Sequence, residues 1–490
     1  GSEGKEGTHK DAEDGKLEKN NIEHGQVDSV IGLTGQFAPL EEKILYYWLA
    51  VGESIGETIA LNDYVLERGP GHLVKTTQDF WRAWVNRRRF NFYGLTPETI
   101  RLFNQSLLVI RAHVSHNGAI IASGDSNAWQ KDKDTYAYVW PRDAAMAALA
   151  LSSAGDTNVA RSFFTFCNEV ISPDGYFMHK YSPDGALGSS WHPWLRNGEK
   201  QLPIQEDGTA LVLWSLWRYY EISKDLEFIE SIYNSLIKKT ADFMVLYRDE
   251  RTGLPQPSYD LWEEKWGVST FTAASVYGAL GAAGNFARLL GKVKSEKIYF
   301  ETAAAMKEGI LRYLYDRERG YFVKLIKFNA PAGELIYDTT IDSSSLYGIL
   351  AFDLLPSDDE RARRALTATE AALANRSAAG GFARYEGDAY HRTDGTVGNP
   401  WFITTLWFAN RQVAAAKNET DLAVVRNWFN WCVRYAKPSG LLSEQVHAET
   451  GEQLSVSPLV WSHAEFVRTI IAYLDKAEEL GLCQNCNPVY

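Results

Sequence analysis

Apolar residues recur along most of the chain at the spacing of amphipathic helices, whereas strand-like alternation is scarce. In the segment 226–248, for example, Ile229, Tyr233 and Leu236 fall on one helical face. Thr96 followed by Pro97 is typical of a helix start, with a capping hydroxyl and a proline in the first turn. The pattern predicts twelve main helices, near 97–115, 142–154, 156–171, 206–223, 226–248, 269–290, 292–315, 342–352, 359–375, 400–416, 419–436 and 459–479.

The connections between these helices alternate in length. Short connections join predicted helices two and three, four and five, six and seven, and ten and eleven, while long ones precede the even-numbered helices. Twelve helices in short-linked pairs predict an all-α fold, a closed (α/α)6 barrel with its long loops on one rim. An open helical solenoid is the alternative, but it should show a repeat of fixed period, and none is found.

The domain organisation follows from the same pattern. Residues 1–38 are polar and lack apolar periodicity, so we interpret them as a linker. Residues 39–490 are expected to form the barrel domain, in which 39–95 is a helical lead-in with helices near 57–67 and 73–88. Because the chain begins with Gly-Ser rather than Met, its start does not indicate whether the protein is exported. The sequence leaves both compartment and oligomeric state open.

Composition excludes some classes of partner. The net charge of the 490 residues is −12 and no run of Lys or Arg forms a nucleic-acid patch, which argues against nucleic acid as a partner. No apolar stretch is long enough to span a membrane. The chain has 16 Trp, 25 Tyr and 22 Phe, which a large helical core explains and which would also suit a site that stacks on sugar rings.

The four cysteines suggest no redox or metal chemistry. Cys167 and Cys432 lie within helical patterns and are expected to be buried thiols. Cys483 and Cys486 form a lone CxxC near the C-terminus, which is a weak metal signal, so we favour a tail without function. No His/Cys cluster has the spacing of metal ligands, and neither a metal nor a cofactor is expected.

The long loops are rich in residues suited to polar recognition. Aromatic, acidic and arginine side chains cluster immediately before the even-numbered helices, in the segments 136–143, 205–208, 259–264, 384–385, 399–402 and 443–445. Taken singly, Asp143 and Asp207 are better explained as caps or first-turn acids of their helices. Their coincidence on one predicted rim favours a site.

Glu263 and Glu264 stand out among these residues. Two adjacent carboxylates between Trp262 and Trp266 should not both ionise easily in a dry pocket, so one of them is expected to have a raised pKa. Glycoside hydrolysis needs such an acid together with a second carboxylate, for which Glu444 is the candidate. The alternative is a solvated helix start at Glu263-Glu264 and a surface ion pair at Arg142-Asp143.

Five ordered motifs between about residues 100 and 480 resemble those of glycoside hydrolase family 15, the glucoamylase family. The segment 259–264 with Ser269-Thr-Phe-Thr272 resembles the general-acid motif, and 443–445 with 451–455 and 461–462 resembles the general-base motif. Trp140-Pro-Arg-Asp143 resembles the segment that holds the terminal glucose. The segments 381–385 and 398–402 match two further motifs of the family.

The resemblance implies a role for each matching residue. Glu263 would be the general acid and Glu444 the base that activates water. Arg142 and Asp143 would clamp the non-reducing glucose, and Tyr136 would lie near the developing oxocarbenium ion. The implied substrate-binding set is Tyr136, Trp140, Arg142, Asp143, Trp262, Glu264, Arg384, Trp401, Gln445 and Trp461. Inversion, the family's stereochemistry, implies carboxyl groups roughly 6.5–9.5 Å apart, with a water molecule between them.

The chain departs from the family pattern in two loops and at its start. In the loop 190–205, Trp191 or Trp194 is expected to replace the tryptophan that supports the acid in fungal members. Val446 and His447 follow Gln445 where a different pair is expected, which affects the outer sugar sites. Prokaryotic relatives carry a β-sandwich domain ahead of the barrel, so residues 1–38 resemble the end of such a domain.

These expectations converge on one leading function. The chain should be an inverting, exo-acting α-glucosidase that releases β-D-glucose from the non-reducing ends of α-1,4 and α-1,6 glucans or oligosaccharides. Its partner would be a starch-like glucan, a maltooligosaccharide or another α-glucoside. Within the same family, a trehalase or an isomaltose or dextran glucohydrolase is the alternative. A phosphorylase or a non-catalytic carbohydrate-binding protein is the alternative from another class.

Overall fold

The computed structural model describes residues 8–17, 19, 29–124, 135–196, 198–329 and 334–487. The chain divides into two compact units, Gly1–Arg82 and Ala83–Tyr490. The predicted linker, 1–38, lies partly outside the described residues. Within them, no helix combines the length and the apolar character needed to cross a bilayer.

The N-terminal part of the chain contains the predicted lead-in helices. Its helices are α1 (Thr8–Asp14), α2 (Ile55–Arg68) and α3 (Pro70–Val85). The Ser54 hydroxyl caps α2 by accepting a hydrogen bond from the Glu57 N–H at 3.2 Å. Neither α2 nor α3 has a buried residue.

Six helices of the second unit form a closed inner ring. Each inner helix packs on the next, and the last contacts the first, which closes the ring. The inner helices are α5 (Pro141–Ser153), α7 (Glu206–Ser223), α10 (Thr270–Leu289), α12 (Ser343–Ala351), α14 (Phe402–Ala415) and α16 (Val460–Glu479).

The remaining helices form an outer layer, each joined in sequence to an inner one. They are α4 (Pro97–Ala112), α6 (Thr157–Val170), α8 (Leu226–Ile232) with α9 (Lys239–Leu246), α11 (Val293–Gly309), α13 (Glu360–Leu373) and α15 (Glu419–Tyr435). A π-helical segment, Tyr233–Lys238, joins α8 to α9, and another, Ile310–Leu314, follows α11. The predicted (α/α)6 barrel is therefore confirmed.

Burial explains why the helices separate into two layers. In the inner helix α5, every residue from Pro141 to Ser152 is buried. The outer helix α6 buries only one face, which includes Phe163 and Cys167. A helix that is apolar all round must be enclosed, whereas an amphipathic one can line the outside. As predicted, Cys167 and Cys432 are buried free thiols.

Short antiparallel strands occur in the loops between the helices. The strands are β1 (Leu195–Arg196), β2 (Glu199–Lys200), β3 (Ser258–Tyr259), β4 (Trp266–Ser269), β5 (Tyr315–Asp316), β6 (Tyr321–Phe322), β7 (Leu325–Asn329), β8 (Glu334–Asp338), β9 (Gln445–Val446) and β10 (Gln453–Leu454). Strands β3, β4, β7 and β8 form one sheet in that order, and the others pair as hairpins β1–β2, β5–β6 and β9–β10. The β3–β4 hairpin holds Glu263, and Glu444 directly precedes β9.

The two cysteines of the C-terminal CxxC are paired. Cys483 and Cys486 are joined by a disulfide bond, and the tail without function stays a prediction. The sequence alone did not indicate this pairing, because a single CxxC is compatible with a metal site, a disulfide or free thiols.

Candidate active site

A cavity of about 320 Å³ lies at the N-terminal ends of the inner helices, on the rim that carries the long loops. Its walls combine aromatic rings with charged groups. From the predicted set it is lined by Tyr136, Trp140, Arg142, Asp143, Trp262, Glu263, Glu264, Arg384, Trp401, Glu444 and Trp461. Gln445 is not in the lining, because its amide oxygen accepts a hydrogen bond from Asn399 at 2.8 Å behind the wall.

A larger cavity, of about 970 Å³, lies at the C-terminal ends of the inner helices. Trp214, Tyr347 and Arg468 are among the residues that line it. It contains none of the predicted site residues, so the candidate chemistry belongs to the smaller cavity.

A tight turn within the β3–β4 hairpin positions Glu263. The Asp260 carboxylate accepts hydrogen bonds from the backbone N–H groups of Glu264 and Lys265, at 2.9 and 3.0 Å. Glu263 adopts a left-handed backbone conformation with φ of +63°. Such a conformation is unfavourable for a residue with a Cβ, and it aims the side chain into the cavity.

The carboxylate of Glu263 has two buried partners. Its Oε2 lies 2.9 Å from Nε2 of His179, and its Oε1 accepts a hydrogen bond from Nη2 of Arg142 at 3.3 Å. Burial acts to raise the pKa of Glu263, but the hydrogen bond and charge of His179, together with the charge of Arg142, lower it to about 2.

Glu264 points to a different set of partners. Its carboxylate accepts a hydrogen bond from Arg384 Nη2 at 3.0 Å and another from the Tyr385 hydroxyl. The prediction that crowding would raise the pKa of one of the two adjacent glutamates does not hold for Glu263. The reason is that neighbouring side chains in the turn diverge, and a cation lies beside each of them.

Of the two candidate catalytic glutamates, Glu444 is the one with the raised pKa. It is only 7% exposed, and the Ser455 hydroxyl donates a hydrogen bond to it. Gln445 pairs with Leu454 in the β9–β10 hairpin, which brings the flanking residues Glu444 and Ser455 together. Burial raises the pKa of Glu444 to about 7, against the lowering by Ser455 and Arg384.

Arg142 and Asp143 form a buried pair. Arg142 Nε donates to Asp143 Oδ1 at 3.0 Å, and the Asp207 carboxylate lies 3.8 Å from Nη1 of Arg142. Burial raises the pKa of Asp143 to about 6 and that of Asp207 to about 7, against the lowering by Arg142. Both aspartates also lie in the first turns of their helices, but the surface ion pair considered as an alternative is wrong.

Arg384 links the acidic and aromatic parts of the wall. Its Nε and Nη2 donate to the two carboxylate oxygens of Asp388, each at 2.7 Å. The guanidinium carbon lies 4.4 Å from the ring centroid of Trp401 and 5.0 Å from that of Trp262. The paired hydrogen bonds to Asp388 hold the guanidinium in a fixed orientation beside the rings of Trp401 and Trp262.

Sequence reasoning missed several residues of the site. His179 and Lys180 lie in a loop segment with no motif, and nothing in their spacing marks them. Tyr390 lines the cavity, and its hydroxyl lies 3.1 Å from that of Ser455. Ser455 was part of the quoted base motif, so a signal for it was present.

The loop 190–205 contains the two tryptophans considered as supports for the acid, and the structure places them differently. Trp191 lines the cavity, and its ring centroid lies 4.7 Å from that of His179. Both rings are about half exposed, but Trp194 is not part of the lining. Trp191 is therefore the tryptophan in position to support the side chains around Glu263.

One cluster offers metal-ligand atoms. His179, His192 and Glu263 each present a candidate atom, all within 4.8 Å of one another. However, the two imidazole rings are stacked with centroids 4.0 Å apart and planes inclined at 26°. Lone pairs of stacked rings run side by side rather than converging, so the arrangement does not suit a shared metal ion.

The profile of the glycosyl hydrolases family 15 matches residues 102–431 and 424–471 of this chain, which together include both candidate glutamates. The chain belongs to this family. An uncharacterised glycosyl hydrolase of Methanocaldococcus jannaschii is 32% identical over 344 residues, covering 68% of this chain and 50% of that protein.

Two further relatives carry the names of specific enzyme activities and have lower sequence identity to this chain. A glucoamylase of a Clostridium species is 25% identical, covering 86% of this chain and 59% of its own length. Trehalase 2 of Sulfolobus acidocaldarius is 27% identical, covering 76% of this chain and 63% of its own length. The chain thus spans about half to three fifths of the length of these relatives. A solved bacterial glucoamylase in complex with acarbose shares the fold, with a TM-score of 0.68 at 22% identity, over 87% of this chain and 62% of that one.

Proposed function

We propose that the protein is an inverting, exo-acting α-glucosidase that releases β-D-glucose from the non-reducing ends of α-glucans or α-glucosides. The observation that carries this proposal is the presence of Glu263 and Glu444, from loops about 180 residues apart, in one cavity of about 320 Å³. Family membership and the glucoamylase name of several relatives support it.

In the proposed reaction the two carboxyl groups act on opposite sides of the scissile bond. Glu263 gives a proton to the leaving oxygen as the bond to the anomeric carbon breaks. Glu444 takes a proton from the water molecule that attacks the same carbon. A single displacement of this kind inverts the configuration, and it requires the two carboxyls to be about 6.5–9.5 Å apart.

Other groups of the cavity would bind the sugar. The Arg142-Asp143 pair offers both donors and acceptors to the hydroxyls of the terminal glucose. The rings of Trp140, Trp401 and Trp461 offer flat surfaces to the sugar C–H groups.

A trehalase is the second candidate, because two relatives carry that name. The same two glutamates would act, and only the outer part of the pocket would distinguish trehalose from maltose or isomaltose. A phosphorylase would need a phosphate in place of the activated water, and a carbohydrate-binding protein would not need Glu444.

A disaccharide panel tests the proposal. Purified protein is incubated with maltose, isomaltose and trehalose, and the anomer of the released glucose is followed by proton NMR. From maltose and isomaltose we expect the glucose released from the non-reducing end to be the β anomer, and from trehalose equal amounts of α- and β-glucose. Glucose 1-phosphate formed only with added phosphate would instead indicate a phosphorylase, and release of the non-reducing glucose of maltose as the α anomer would contradict inversion.

The two glutamates are tested separately. Glu263→Gln and Glu444→Gln should each lower the rate of maltose hydrolysis by at least roughly 100-fold. Glu449→Gln is the matched control, because this exposed residue lies in the turn of the β9–β10 hairpin. A near wild-type rate in either active-site variant would overturn the assigned role.

A further inference from the structure

The imidazole of His179 lies against the proposed general acid. Its Nε2 is 2.9 Å from Oε2 of Glu263, and the His179 side chain is only 1% exposed. The family resemblance supplies no role for this residue. Its position between Glu263 and the Trp191 ring makes it the group most directly coupled to that carboxyl.

The ring of His179 is held on both of its nitrogens. Nδ1 lies 3.0 Å from the Ser190 hydroxyl, and the indole N–H of Trp140 points at Nε2 from 3.3 Å. Two lone pairs would repel each other at 2.9 Å, so the contact between Nε2 and Glu263 Oε2 requires one proton between them. That proton lies either on Nε2, in an imidazolium or in a neutral ring whose Nδ1 accepts from Ser190, or on the carboxyl, which then donates to Nε2.

We propose that His179 and Glu263 hold one proton in common, and that His179 is the positioning residue that keeps this proton available for the leaving-group oxygen. The inference rests on the proposed function, in which Glu263 is the general acid. It goes beyond that function because it assigns the storage of the catalytic proton to a second side chain.

The shared proton reconciles the charge state of Glu263 with its role. The hydrogen bond and charge of His179, with the charge of Arg142, lower the pKa of Glu263 to about 2, so its carboxyl alone would hold no proton to give at neutral pH. Movement of the proton from Nε2 to the carboxyl along the 2.9 Å contact restores the acid without any exchange with solvent.

The proton balance of the reaction is then complete. The proton passes from His179 to Glu263 and on to the glycosidic oxygen, whose bond to the anomeric carbon breaks with the electron pair staying on oxygen. Water forms the new bond to that carbon and loses one proton to Glu444. After product release Glu444 gives its proton to solvent, and the His179–Glu263 pair takes one up.

The surroundings of the pair influence where the proton lies. Burial lowers the pKa of His192 to about 3, so this stacked ring stays neutral beside His179. The Lys180 ammonium lies over the rings of Trp140 and Trp191, 4.8 Å from each centroid, rather than against the carboxyl. Among the described residues, the charged or titratable groups that face the pair include Tyr136, Arg142, Asp143, Lys180, His192 and Asp207.

Two substrates that differ only in their leaving group test the proposal. Maltose needs a protonated leaving oxygen, whereas fluoride departs from α-glucosyl fluoride with little help from an acid. In His179→Gln the amide can still donate to Glu263 but cannot store a proton. We expect kcat on maltose to fall by at least roughly 100-fold and kcat on the fluoride to change by less than about tenfold. An equal fall on both substrates, or no fall on maltose, overturns the proposal.

His192→Gln is the matched control, because His192 stacks on His179 without bonding to Glu263. Any packing defect in this variant should affect both substrates by the same factor. Failure of the proposed function has a different signature, since wild-type protein would then hydrolyse neither maltose nor the fluoride.

A measurement without substrate provides a second test. The ring nitrogens of His179 are observed by ¹⁵N NMR in the wild type and in Glu263→Gln, with His179→Gln used to assign the signal. The wild-type ring should show a proton shared with the carboxyl, and the ring in Glu263→Gln should not. Rings that lose their proton at the same pH in both proteins contradict the shared proton.

Discussion

The hydroxyl of Ser455 donates a hydrogen bond to the carboxylate of Glu444 across the open end of the β9–β10 hairpin. Ser455 adopts a left-handed backbone conformation with φ of +65°, and its hydroxyl is also within reach of Tyr390. The bond favours the ionised form of Glu444, which is the form that activates water. The hairpin therefore helps to set the protonation state of the proposed base.

Ser455→Ala should shift the pH dependence of the reaction. Loss of the donor raises the pKa of Glu444 further above its present value of about 7, so the acidic limb of the profile of kcat/KM moves to higher pH. The expected shift is about half a pH unit to one unit, since a hydrogen bond to a charged group contributes about 1.5–3 kcal/mol and solvent replaces part of it. Thr450→Ala, in the turn of the same hairpin, is the control and should leave the limb in place.

Arg142→Met should destabilise the protein and abolish turnover. The guanidinium is the positive partner of Asp143 and Glu263 in a buried site, and its removal leaves their charges uncompensated. Breaking a buried ion pair in this way lowers the free energy of unfolding by about 3–5 kcal/mol, which urea unfolding can measure. Arg142→Lys tests geometry separately, because it keeps the positive charge but loses the planar guanidinium with its several donors. An unfolding free energy unchanged in Arg142→Met would show that the ion pair is not needed for stability.

Glu263→Gly should be more stable than Glu263→Ala, although both should be inactive. The left-handed conformation at this position is unfavourable for any residue with a Cβ, and glycine adopts it freely. The expected difference in unfolding free energy is about 1 kcal/mol in favour of glycine. Since neither variant has the carboxylate, the comparison isolates the free-energy cost of the left-handed backbone conformation. An alanine variant of equal or greater stability would argue against strain in this turn.

Asp207→Asn should remove a pH-dependent loss of stability. Burial raises the pKa of Asp207 from 3.8 to about 7, so the native state keeps a proton that the unfolded chain releases. Such a group lowers stability as the pH rises from about 4 through 7. At pH 8 the asparagine variant should gain up to about 4 kcal/mol relative to wild type, with no gain at pH 4.

Urea unfolding of both proteins at the two pH values measures this effect. A stability difference that does not change with pH would mean that Arg142, whose Nη1 lies 3.8 Å away, keeps Asp207 ionised in the native state.

The residues recognised from sequence share one property: each belongs to a local motif before an inner helix. Glu263, Arg142 and Arg384 were found in this way, and all of them line the cavity. His179 was not found, because its partners at positions 140 and 263 are 39 and 84 positions away along the chain and its own segment has no pattern. The state of Glu263 was misjudged for the same reason, since its pKa depends on a partner 84 positions away.

The chain's own pattern determined the class of fold. Helical periodicity, proline and hydroxyl residues at helix starts, and the alternation of loop lengths all act over a few residues, so they can be read locally. Only the tertiary structure decided which loops contact each other. It therefore also decided which side chains lie beside the titratable groups of the site. The physical reason is that a pKa depends on burial and on charges within a few ångströms, and these arise only when distant segments close into the ring.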